Sequence, residues 1–76
     1  MAWAVYIHND NVNSYDGVIY ALFRIVGLQV GDALHTTTFV HEHGAAEVGR
    51  FAELADAELL TARLQVFGLH ASVAAA

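Results

Sequence analysis

At Ser14 the apolar residues of this chain change their spacing, and that change restricts what the chain can fold into. Before it, WAVYIHN (Trp3 to Asn9) is dense in β-branched and aromatic residues, which predicts a strand. After it, Tyr15, Val18, Ile19, Leu22, Ile25 and Val26 recur at steps of three and four, the period of a helix with one apolar face. Ser14 suits the N-cap, Asp16 the first turn, and Gly27 the left-handed stop.

A second helix is expected from Gln29 to Glu42, with Val30, Ala33, Leu34, Thr37 and His41 on one face and Gly44 at its end. The threonine run Thr36 to Thr38 weakens its intrinsic propensity. AAEVGRFA (Ala45 to Ala52) is short and reads equally as a strand or part of a loop. ELADAELLTARLQVF (Glu53 to Phe67) is the clearest helix, stopped by Gly68, and LHASVAA (Leu69 to Ala75) alternates enough for a closing strand. The order β-α-α-β-α-β predicts an α+β fold, a single small domain over residues 1–76 with three helices on one face of a three-stranded antiparallel sheet.

Composition sets the energetic terms. The 76 residues leave room for one core, and 57% hydrophobic content excludes disorder. There is no cysteine, so neither disulfides nor thiolate metal sites can hold the fold together. A net charge of −5, with three arginines and no lysine, argues against nucleic acid and against anionic membranes as partners. No basic n-region precedes an apolar h-region, and no apolar run reaches a membrane span. A cytoplasmic domain with a neutral or positively charged partner is the expectation.

Two constellations carry candidate chemistry. The first is Asn9, Asp10, Asn11 and Asn13. Asx side chains commonly bond their own backbone in turns between a strand and a helix. The same carboxylate and amide oxygens at a strand end can also accept the N–H bonds of an ammonium ion. The second is the histidine set, above all FVHEHG. On a helix His41 and His43 do not share a face, and neither an HExxH pattern nor a cysteine ligand is present, so no metal is expected. His35 and His70 would join such a site only through tertiary contact. His41 stands apart because it shares the face of Val30, Leu34 and Thr37, where an imidazole needs a partner or a ligand. There is no GxSxG elbow, cysteine nucleophile, phosphate loop or lysine, so catalysis is not expected and no cofactor is implied.

NDN after a strand, an apolar helix, VHEHGAAEVG, then a helix and a short strand together resemble the ClpS family, from about Trp3 onward. These are adaptors that bring proteins with destabilising N-terminal residues to a Clp-type AAA+ unfoldase and its protease. The ending GLHASV is similar to actinobacterial members. The resemblance implies that Asn9, Asp10 and His41 hold the substrate's α-amino group. It implies a pocket for the first side chain, bulky hydrophobic or aromatic, formed by Ile7, Asn13, Tyr15, Val18, Thr37 and Val40, with Ser72 or Val73 of the last strand.

Departures from the family pattern qualify those implications. Thr-Pro-Met usually follows the acidic pair, whereas this chain has Asn13-Ser14-Tyr15. Tyr15 and Thr37 each stand where a pocket methionine is usual, which exchanges flexibility for bulk at one and gives a shorter, more polar floor at the other. The flexible N-terminal extension of the family is absent from the sequence. Docking on a Clp unfoldase N-terminal domain, of ClpA or ClpC type, is expected at Leu54, Glu58 and Leu59, with Leu59 replacing a usual lysine. An alternative is a ClpS-like interaction module of a larger protein or diverged system, with another partner and no Clp delivery.

Overall fold

A computed structural model describes residues 1–76. Its elements are β1 (Trp3–His8), α1 (Tyr15–Ala21), a π-helical turn (Leu22–Val26), α2 (Val30–His43), β2 (Ala45–Phe51), α3 (Leu54–Phe67) and β3 (His70–Ala75). The sheet order is β2-β1-β3, and both pairings are antiparallel. The expected order and architecture are therefore present, and AAEVGRFA resolves as a strand.

The helix ends follow their capping residues. Ser14 is extended, at φ −72° and ψ 160°, and its hydroxyl accepts the Gly17 N–H at 3.0 Å. Gly27, Gly44 and Gly68 take φ of 90°, 95° and 112° at the three helix exits. The first helix departs from expectation after Ala21. The Gly27 N–H reaches back five residues to the Leu22 carbonyl at 3.0 Å, so the last stretch winds in π register.

β1 supplies the centre of the core. Val5 and Ile7 are fully buried with Leu22 and Leu64, and α3 lies across β1 and β3 while α2 packs on β2. Burying each such side chain contributes about 1.5–3 kcal/mol. α2 corrects the sequence expectation: Val30 and Leu34 are exposed, and the buried line is Ala33, Thr37 and Val40. α2 contacts both α1 and β2, and the residues it buries there, an alanine, a threonine and a valine, are all small. The larger side chains are left outside.

A bulge in β2 sets how it faces its neighbours. Gly49 pairs with Val5 and Glu47 with Tyr6, leaving Val48 as the extra residue. Residues three apart on a straight strand face opposite ways. Across the bulge Glu47 and Arg50 meet instead, through contacts of 2.7 and 3.2 Å. Gly49 sits in tight packing, since a Cβ there would lie 3.2 Å from both Leu60 Cδ2 and the Phe51 ring, and these side chains would have to shift to admit it.

The exit of α2 is backbone-limited rather than packed: Gly44 has open space where a Cβ would be. Gly44→Ala is therefore expected to lower stability by about 1 kcal/mol from left-handed strain alone, and Gly44→Asn by less. Chemical denaturation of the two variants checks the order.

Candidate functional site

The loop after β1 is organised by one carboxylate. Asp10 Oδ1 accepts the backbone N–H of Val12 at 2.9 Å and of Asn13 at 2.8 Å, and Oδ2 accepts the Asn13 side-chain amide at 3.0 Å. The second proton of that amide goes to the Gly68 carbonyl at 2.7 Å, tying the loop to the exit of α3. Asp10 is thus a turn residue, as the Asx cluster allowed. The Asn13 backbone N–H, then its side-chain amide, then the Val12 N–H hold the Asp10 carboxyl below the usual range, with a small contribution from His70. Three of its roughly four acceptor positions are used, which leaves one for a ligand.

The strand end meets α2 through the backbone. The Asn9 N–H donates to the Gly44 carbonyl at 2.8 Å, which fixes Asn9 beside the last turn of α2, where His41 lies. His41 is exposed rather than turned into an apolar face; its ring meets Tyr15 edge-on, with centroids 5.7 Å apart. His43 goes elsewhere, stacking on Phe39 at 4.3 Å.

These pieces enclose a cavity of about 230 Å³. Asn9, Asp10 and His41 line it, and so do Ile7, Asn13, Tyr15, Val18, Thr37 and Val40. These nine expected residues therefore reach one space. Tyr15 was counted with the helix core, but it is exposed and bounds the cavity, held by its hydroxyl donating to Thr38 Oγ1 at 2.6 Å. The Thr37 hydroxyl donates to the Ala33 carbonyl at 2.7 Å, so its proton is committed to its own helix. The cavity floor is less polar than the residue type implied.

Ser72 and Val73 do not line the cavity. Ser72 Oγ lies 2.7 Å from His8 Nε2, and Val73 packs against the core. Leu69 takes the place expected of them, with His8, Asn11 and Ser14 completing the wall. Asn11 belongs to the Asx cluster already singled out, but Leu69 had no sequence signal, because the pairing of His8 with His70 and the Asn13–Gly68 bond, both long-range, bring it near. Leu54, Glu58 and Leu59 are all exposed on α3.

A family model described as the ATP-dependent Clp protease adaptor protein ClpS matches residues 1–72. The chain belongs to the ClpS family. No curated protein matches it. ClpS is an adaptor family rather than a catalytic one, so the cavity belongs to a protein family whose work is binding. No helix is long and apolar enough to cross a membrane.

The Asp10 bonds make a stability prediction with a definite sign. A carboxyl held low in the folded chain contributes fully above its unfolded value, about 3.9, and the contribution is lost as pH falls through the lower folded value. The loop is open to solvent, so the three bonds are worth less than their sum. Asp10→Ala is expected to cost about 1–2 kcal/mol near neutral pH. Denaturation as a function of pH should show that difference shrinking below about pH 4; a constant difference would contradict the account.

Proposed function

We propose that this ClpS-family chain binds the free N-terminal residue of substrate proteins for delivery to a Clp AAA+ protease. The observation that carries the reading is convergence. An acidic oxygen, an amide, an imidazole and a set of apolar walls, drawn from β1, its loop, α1 and α2, share one cavity of about 230 Å³.

An α-ammonium has three N–H donors. Asp10 offers one acceptor position and the charge, while Asn9 and a neutral His41 accept directly or through water. The charge matters because a partly desolvated ammonium is costly unless well satisfied. The first side chain, bulky hydrophobic or aromatic, enters among Ile7, Val18 and Val40, with Tyr15 at the rim. Its burial contributes on the order of 1.5–3 kcal/mol. The exposed group Leu54, Glu58 and Leu59 on α3 would meet the N-terminal domain of a ClpA- or ClpC-type unfoldase.

Titration with peptides beginning with Phe, Leu, Trp, Tyr or Ala, each free and N-acetylated, tests the binding. Free Phe or Leu peptides should bind at micromolar levels. Acetylation, which removes the charge and a donor, should weaken them at least about tenfold, and so should Asp10→Ala. Binding that ignores acetylation would remove the ammonium site. A His41 acceptor further requires that His41→Ala weaken a free Phe peptide by about fivefold at neutral pH while the acetylated peptide changes little.

A second reading keeps the fold and changes the partner, on the ground that Leu59, 61% exposed, is apolar where docking would use a cation. Failure to bind a Clp unfoldase N-terminal domain while still binding free N-termini would favour it.

A further inference from the structure

α3 carries apolar side chains on both sides, with Asp56, Glu58, Arg63 and Gln65 exposed among them. Its inner side buries Ala57, Leu60 and Leu64, while its outer side leaves Val66 89% exposed together with Phe67. Scattered exposed leucines need no explanation, but a contiguous apolar patch does. Here the patch is contiguous. Ala62, Val66 and Phe67 of α3 and Ile25 of the π-helical turn line an open hollow of about 500 Å³. Tyr20 of α1 extends its wall by stacking on Phe67, with ring centroids 6.1 Å apart. None of these residues lines the cavity beside β1.

The remaining lining residue, Arg63, identifies the occupant. The chain has only three cationic side chains of fixed charge, and its one ion pair joins Arg50 to Glu47, so Arg63 is free. A free guanidinium on an otherwise apolar hollow, in a protein of net charge −5, is a local reversal of sign. It matches a carboxylate, which the guanidinium fork can bind through two bonds. A second copy fits poorly, because it would bring a net charge of −5 against −5.

We infer that this hollow is a second docking surface, for an apolar segment of a partner protein that carries a carboxylate opposite Arg63. Apolar side chains of that segment pack beside Val66 and Phe67, and the Arg63–carboxylate pair sets its register. The surface is independent of the N-terminal-residue reading and lies one turn beyond Leu59.

Two alanine-based helical peptides serve as probes, each with leucines at steps of three and four on one face. One carries glutamates beside the leucines and the other carries lysines. Titrated into the 15N-labelled full chain, the glutamate peptide should shift the amides of Ile25 and of residues 62–67. It should bind roughly tenfold more tightly than the lysine peptide. Arg63→Glu should reverse that preference, and Val66→Asp should weaken the glutamate peptide by roughly tenfold or more. Both positions are exposed, and a thermal melt confirms that each variant folds. Equal affinity for the two peptides would overturn the inference. So would shifts confined to the Asp10–His41 cavity, a preference unchanged by Arg63→Glu, or self-association of the chain that covers the hollow.

Discussion

The candidate site is held together where the β1–β2 ladder ends: past the His8–Ala45 pair, the Asn9 N–H donates to the Gly44 carbonyl at 2.8 Å. This bond joins the end of the central strand to the exit of α2, two segments that nothing local would bring together. Asp10 is the next residue along one segment, and His41 lies one turn back along the other. Their proximity therefore follows from main-chain geometry rather than from attraction between their side chains. The bond depends on α2 ending where it does. Gly44 turns left-handed at φ 95°, a conformation costly for any residue with a Cβ, and this leaves its carbonyl facing β1.

The turn role and the proposed binding role do not compete at Asp10. The three N–H donors that organise the loop are also what keep the carboxyl ionised, since each bond favours the charged form. A carboxylate held in this way is pre-oriented, and ordering it on binding costs little. Tyr15 has a similar double character. Its hydroxyl anchors it to Thr38 and its ring meets the His41 ring edge-on, so the wall of the cavity is braced against α2. A methionine at that position would be more adaptable, and the tyrosine exchanges adaptability for a fixed shape.

The fold was legible where local chemistry and period agree. Ser14, Gly27, Gly44 and Gly68 each mark a helix boundary by a mechanism that acts within a few residues. It was not legible where tertiary contact decides. The buried side of α2 contains Ala33 and Thr37 rather than Val30 and Leu34, because close contact with α1 and β2 favours small side chains over apolar ones. The β2 bulge and the π-helical turn leave no local signal either, since one is set by pairing with β1 and the other lies within an unbroken apolar period. At the site, the cluster NDN read alone was an ordinary turn, and the pairing of Asn9 and Asp10 with His41 came from family resemblance. The polarity of Thr37 was misread because a side-chain type does not show which backbone carbonyl will take its proton.

The outer surface follows from arithmetic that composition already contains. A domain near this size buries only about 60% of the surface its unfolded chain exposes, yet 57% of the residues here are hydrophobic. Some apolar side chains must remain outside, and the informative question is how they are distributed. Scattered evenly, they would imply little. Three of them, Tyr20, Val66 and Phe67, lie with the half-buried Ile25 around Arg63, while others, such as Val30, Leu34 and Phe39, lie on α2 and acidic groups dominate the protein's charge. Part of the excess that a small core cannot absorb thus forms a contiguous surface, spatially separate from the cavity beside β1. An adaptor has to hold two things at once, and separate surfaces allow one to be occupied without displacing the other.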